Sequence, residues 1–260
     1  MVLEDRRECP SFLFFDVVNP SAVESSDRVL VTVYRQPENV CVGRETPLVS
    51  DLEDKSFWFT VKKVDFWSGY GLTGIRNSHL QGETEWVVDE GCQGDPLFRF
   101  NYRVPGFDER FTAPVEFVKE HANVTIKFVH SDQYESSGGI FPFRLVIRGN
   151  TCGINCTTGV PVRGSFLFEP EETFSGTFHF ILPRQADPSL TMELWAKPGQ
   201  YSREGLIDKF NLAALFVQLG SVNWEEKNLP DLYLEIDYAE SEYRIDVKNW
   251  EDTNPLVFEM

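Results

Sequence analysis

The side chains best able to move protons near neutral pH are His79, His121, His130 and His179, which are widely spaced along the chain. A catalytic histidine needs a nucleophile or substrate proton within hydrogen-bond reach and a third group to hold its ring. None of the four stands in a motif that supplies such partners. The adjacent pairs Glu171-Glu172 and Glu225-Glu226 offer the two carboxyl groups that glycoside hydrolysis uses, if a fold holds them roughly 5–10 Å apart. With 41 acidic residues in a chain of 260, such neighbours arise by chance, and they read as solvated surface. Gly69-Tyr-Gly-Leu-Thr-Gly74 has the glycine density of a phosphate cradle, but it follows Phe66-Trp67 and no helix start follows it. It reads as a loop.

The five cysteines are Cys9, Cys41, Cys92, Cys152 and Cys156. Cys152 and Cys156 lie in a turn-like stretch from Gly149 to Gly159, yet a tetrahedral metal needs two further ligands, and no CxxC or HxxxH supplies them. A disulfide such as Cys9 with Cys41 is compatible with an oxidising compartment. Asn123-Val-Thr125 and Asn155-Cys-Thr157 match the glycosylation sequon, which has meaning only in a eukaryotic secretory route. Trp58, Trp67, Tyr70 and Trp86 admit two readings, a sugar-stacking platform or the cover of a sheet core. The second fits the habit of aromatic residues in strands. The expectation is therefore a protein without catalytic, cofactor-binding or metal-binding residues.

The chain can bury about three quarters of its extended surface, and 42% hydrophobic residues with 22 Phe supply the core. A formal charge of -17 argues against nucleic acid, whose phosphates are met by Lys and Arg. It argues equally against a basic patch for anionic lipid. No run of eighteen apolar residues is present to span a bilayer. The polar start Met1-Val-Leu-Glu-Asp-Arg-Arg7 does not look like a secretion signal, which suits a cytoplasmic protein or the mature part of an exported one.

The elements that must position these side chains read as strands. Val29 to Tyr34 is almost wholly apolar, as in a strand covered on both faces. Phe57, Phe59 and Val61 alternate with Trp58, Thr60 and Lys62, Val124, Ile126 and Phe128 with Thr125 and Lys127, and Phe141, Phe143, Leu145 and Ile147 face away from Arg144 and Arg148. Phe178, Phe180 and Leu182 repeat the pattern, then Leu190, Met192 and Leu194. Leu232, Leu234, Ile236 and Tyr238, followed by Tyr243, Ile245 and Val247, predict a closing antiparallel hairpin with a polar turn around Ala239 to Glu242. Glu204 to Leu219 instead carries apolar residues at helical spacing, with Gly220 placed to stop the helix. A composition shift over Tyr102 to Thr112 suggests a linker, dividing the chain into an N-terminal sandwich, 1–108, and a C-terminal one, 109–260.

Certain stretches are more specific. Val146-Ile-Arg-Gly-Asn-Thr-Cys-Gly-Ile-Asn-Cys-Thr-Thr-Gly-Val-Pro-Val-Arg-Gly-Ser165, Leu182-Pro-Arg-Gln-Ala-Asp-Pro-Ser-Leu-Thr-Met-Glu-Leu194 and the closing Ile236-Asp-Tyr-Ala239 with Ile245-Asp-Val-Lys-Asn-Trp250 stand out, together with Cys9-Pro10 before an apolar strand. In these the chain resembles the FimB-like lipoproteins, fimbrillin-associated anchor or minor subunits of Bacteroidales type V pili. The likeness covers most of the chain, more strongly from Val115 onward and weakly between Pro37 and Gly94. The leader and lipid-bearing cysteine of that family are not in this sequence, and Cys152 and Cys156 depart from its pattern.

The resemblance implies an all-β protein of two tandem transthyretin-like β-sandwiches with one short helix in the second. It implies a non-enzymatic fimbrial subunit at the surface of the outer membrane, held there by an N-terminal lipid and joined to stalk subunits by β-strand exchange. An exchanged strand pairs open backbone N–H and C=O groups and covers an exposed core at once. The parts expected to do this are the backbone and apolar margins of the first strand, Phe12 to Val18, and of the final hairpin. The alternative is a tip adhesin or glycan-binding module that uses an exposed aromatic face within residues 1–105. An exported carboxylate hydrolase ranks last.

Overall fold

The computed structural model describes residues 10–62, 66–107, 109–129, 141–199, 205–218, 222–237, 242–247 and 256–258. In chain order the elements begin with β1 (Ser11–Val17), β2 (Leu30–Gln36), β3 (Val40–Glu45), α1 (Val49–Glu53), β4 (Trp58–Val61) and β5 (Phe66–Thr73). They continue with β6 (Ser78–Gln81), β7 (Glu85–Val88), β8 (Phe98–Pro105), β9 (Arg110–Val115), β10 (Val118–Lys119) and β11 (His121–Val129). Then come β12 (Phe143–Asn155), β13 (Pro161–Phe168), β14 (Glu172–Phe174), β15 (Thr177–Pro183), β16 (Thr191–Ala196) and β17 (Leu206–Phe210). The last are α2 (Leu212–Gln218), β18 (Leu232–Asp237), β19 (Glu242–Val247) and β20 (Leu256–Phe258). The chain is all-β, with two short helices among the described residues rather than the single one expected.

Two compact units emerge, interleaved in sequence: Met1–Ile75, Leu97–Lys119 and Cys156–Thr158 form the first, and Arg76–Pro96, Glu120–Asn155 and Gly159–Met260 the second. The first unit holds two sheets, β4-β1-β9 and β10-β8-β5-β2-β3. Leu13, Phe15, Phe59, Val61, Ala113 and Val115 of one sheet and Val31, Val33, Trp67, Phe100 and Val104 of the other belong to one core, the inward half of each period-two pattern. Tyr102 to Thr112 is not a linker. Tyr102 and Val104 lie buried in β8, and β9 begins at Arg110, so a single cut after residue 108 would part β9 from its partner β1.

The glycine-rich run is a central strand, not a loop. β5 lies between β2 and β8, and its glycines leave room for aromatic rings. A Cβ on Gly71 would come within 2.1 Å of the Phe100 ring, and one on Gly69 within 2.0 Å of the Thr32 carbonyl and 2.5 Å of the Tyr102 hydroxyl. The Tyr102 hydroxyl donates to that carbonyl at 2.6 Å, while the Thr32 hydroxyl bridges the Tyr70 backbone at 3.1 and 3.2 Å. Burial pushes the Tyr102 phenol well above its ordinary pKa, so it stays a neutral donor.

The second unit stacks β14-β15-β11-β18-β19-β20 against β17-β16-β12-β7-β6, with β13 paired to β12. Residues 149–159, expected to be a turn, are mostly strand: β12 continues to Asn155 and changes partner along its length. It pairs with β16 over Phe143–Arg148 and with β7 over Gly153–Asn155, and irregular register against β13 around Gly149, Thr151 and Gly153 accompanies the change. The helix expected from Glu204 is shorter than its pattern. Residues 206–210 pair with β16 as β17, and Asn211 caps α2 by accepting from the Ala214 N–H at 2.9 Å. The strands β18 and β19 of the closing hairpin pair as expected. Their turn, Tyr238 and residue 130 lie outside the described residues.

Candidate assembly strand and aromatic face

The residues singled out for chemistry are dispersed. His79 Nδ1 meets Asp89 Oδ1 at 2.5 Å, and His179 Nδ1 meets the Thr125 hydroxyl at 2.8 Å, both at exposed positions on different sheets. His121 is buried on β11. Glu172 accepts from Lys197 Nζ at 2.6 Å and the Gly176 N–H at 2.8 Å, whereas Glu171, Glu225 and Glu226 are exposed. Cys41, Cys92 and Cys152 are free thiols, burial raises the Cys152 pKa, Cys156 is buried, and Cys9 lies outside the described residues. Among the described residues no group of three His, Cys, Asp or Glu side chains could hold a metal. Trp67 and Tyr70 are buried and so offer no open ring beside Trp58, while Trp86 is half-buried on β7 of the second unit.

β1 is the element the resemblance pointed to, but it is not a margin. It runs down the middle of its sheet, antiparallel to β4 from Ser11↔Val61 to Phe14↔Trp58 and parallel to β9 from Phe12↔Arg110 to Val17↔Val115. Alternation in the sequence sets which side chains point inward but carries no information about lateral order. Leu13 and Phe15 are fully buried, and the Phe15 ring lies 5.2 Å from Tyr102 and 6.3 Å from each of Phe57, Phe59 and Phe100, centre to centre. Backbone bonds fasten both ends: Phe12 N–H to Glu109 C=O at 2.8 Å and Val18 N–H to Val115 C=O at 3.0 Å. Asn19 completes the lock, its amide donating to the Phe117 carbonyl and accepting from the Phe117 N–H, both at 2.8 Å.

The other face of β1 is aromatic and open. Phe12 is 38% and Trp58 47% exposed, and the half-buried Phe14 ring lies 5.7 Å from that of Trp58. The Arg110 guanidinium lies over the Phe14 ring at 4.1 Å, and Lys55 pairs with Asp16 at 3.0 Å. The exposed Thr60 and the half-buried Thr112 lie opposite Phe12 and Phe14 across the sheet.

In the second unit β18 lies between β11, to which it is parallel, and β19. The segment leading into β18 is held by a buried ion pair. Arg184 Nε donates to Glu120 Oε2 at 2.6 Å, and the same guanidinium donates to the carbonyls of Trp224, Glu226 (2.7 Å) and Lys227 (3.1 Å). Such saturation is what a buried guanidinium requires, since each unpaired donor would be costly. No sequence motif marks this pair.

No protein-family model matches the chain, and neither does any curated protein sequence. Solved structures match its fold along nearly the whole length. A candidate polysaccharide-binding protein from Bacteroides thetaiotaomicron is 12% identical with a TM-score of 0.67, covering 97% of this chain and 98% of that one. The fimbrial anchor protein Mfa2 from Porphyromonas gingivalis is 11% identical with a TM-score of 0.60, covering 93% and 98%. A candidate adhesin from Bacteroides thetaiotaomicron is 14% identical with a TM-score of 0.59, covering 93% and 97%. The fold is thus the scaffold that the resemblance in sequence implied.

Proposed function

We propose that this chain is a non-enzymatic accessory or anchor subunit of a bacterial surface fimbria, joined to stalk subunits by strand exchange and attaching or limiting the fibre at the outer membrane. An N-terminal lipid would supply the attachment, with more than one acyl chain needed for stable residence. The observation that carries the reading is β1 itself. It fills a core groove with Leu13 and Phe15 while bonding to one strand on each side, so a donor strand of the same alternation would satisfy the same backbone groups and the same cavity. Named fimbrial and adhesin structures with this fold add support.

Deleting the gene in a fimbriated host should lengthen the fibres or shed them into the medium, and complementation should restore length and retention. Fibres of unchanged length and attachment would remove the reading.

A further inference from the structure

We propose that the outward face of the β4-β1-β9 sheet is a binding site for a neutral saccharide, with Trp58 and Phe12 as stacking rings. This goes beyond the fimbrial reading and does not depend on it. Residues from three segments distant in sequence, Phe12 and Phe14, Trp58, and Arg110, meet there because β1 pairs with β4 on one side and β9 on the other. An aromatic face carries negative charge density, and the C–H-rich face of a pyranose ring presents weakly positive hydrogens to it. Sites for small ligands join such apolar surface to a few placed polar groups. Here those groups are the Thr60 and Thr112 hydroxyls and the Arg110 guanidinium. The Arg110 guanidinium lies over the Phe14 ring at 4.1 Å and carries five N–H donors suited to ligand hydroxyls.

Size and charge select the occupant. Aromatic side chains cover roughly 150–250 Å² each, so the exposed parts of Phe12 and Trp58 amount to about 200 Å². A stable protein interface takes about 800 Å² per partner, so a second copy or a folded protein is too large a match for this face alone. A nucleic-acid strand could stack on the rings, but the charge of -17 repels its phosphates. Beside the rings Lys55 is paired with Asp16, and the exposed Glu109 is the chain neighbour of Arg110. A neutral amphiphile with one apolar face and a hydroxyl rim fits this surface; a flat saccharide has that form. Because Phe12 and Phe14 belong to β1, the face exists only while β1 is seated.

The test is the full chain on an array of neutral and acidic oligosaccharides, followed by titration of the best neutral ligand against variants. At least one neutral glycan should bind, Trp58→Ala should weaken it tenfold or more, and Phe12→Ala several-fold. Trp58→Tyr should retain most of the affinity. Phe174→Ala, at a position 78% exposed in the second unit, should change nothing. Thermal unfolding of each variant establishes that the fold is kept. Lack of binding to every neutral glycan, binding that survives Trp58→Ala, or binding confined to acidic glycans would each overturn the proposal.

Discussion

β1 and β11 each run between one antiparallel and one parallel neighbour, and each turns alternate apolar side chains into the core of its own unit. Their outward faces differ. On β11 the polar residues are matched across the sheet: Thr125 with His179 at 2.8 Å, Asn123 with Asp231 at 2.9 Å and Lys127 with Glu235 at 3.7 Å. On β1 the outward residues are Phe12 and Phe14, beside Trp58 and under Arg110, with a single ion pair, Asp16 to Lys55, at the end of the row. The widths differ as well, because β11 is inside a six-stranded sheet while β1 has a single strand on either side. β11 is thus woven into its sheet by further strands and by surface pairs. β1 is held by its core side chains, two short ladders and the bonds at its two ends.

The largest effect that separates the two strands comes from the core. Phe15→Ala should cost about 3–5 kcal/mol and Ile126→Ala about 2–5 kcal/mol in chemical denaturation. Only the first should speed amide hydrogen exchange along residues 11–17 beyond the change in global stability. Equal protection of both strands would erase the distinction drawn here. A smaller effect comes from the lock at the end of β1. Asn19→Ala leaves the Phe117 N–H and C=O without their side-chain partner and should cost about 1–3 kcal/mol. Limited proteolysis should find the segment after Val17 exposed in that variant.

The smallest effect is on acid sensitivity, and it belongs to the second unit. Glu193 is buried, which alone would raise its pKa, but it accepts from Trp195 Nε1 at 3.1 Å, Arg148 Nε at 3.1 Å and Lys209 Nζ at 3.2 Å, and these bonds hold it below the ordinary value. A carboxyl lowered in the folded state stabilises at neutral pH. That contribution is lost as pH falls from the ordinary glutamate value near 4.3 through the lowered folded one. Glu193→Gln should therefore be less stable at pH 7 and show a flatter loss of stability below about pH 4.3, measured by denaturation across that range.

The outlines were written in the chain. Period two over 124–128, 178–182 and 232–236 identifies strands and their inward residues, because alternation about a pleated backbone is a local property. Val29 to Tyr34, apolar except for Thr32, announced a strand covered on both faces, and β2 is buried over most of its length. Other features were misleading for equally physical reasons. Gly69 and Gly71 look like a loop until the rings of Phe100 and Tyr102 are laid across them. Tyr102 to Thr112 has the composition of a linker, yet pairing of β8 with β5 and of β9 with β1 overrides it. Leu206 to Phe210 has helical spacing but lies against β16, and the Asn211 cap marks where the helix begins.

Residue order alone determined that this protein would be built of half-buried strands around a phenylalanine-rich core, without a motif for catalysis. Tertiary structure decided which strands lie side by side, that β1 is central in its sheet, and that Phe12, Phe14, Trp58 and Arg110 share one face. The division has a simple cause. The direction a side chain takes from a strand depends on its immediate neighbours, whereas the strand next door is chosen by contacts that the chain makes only after closing long loops.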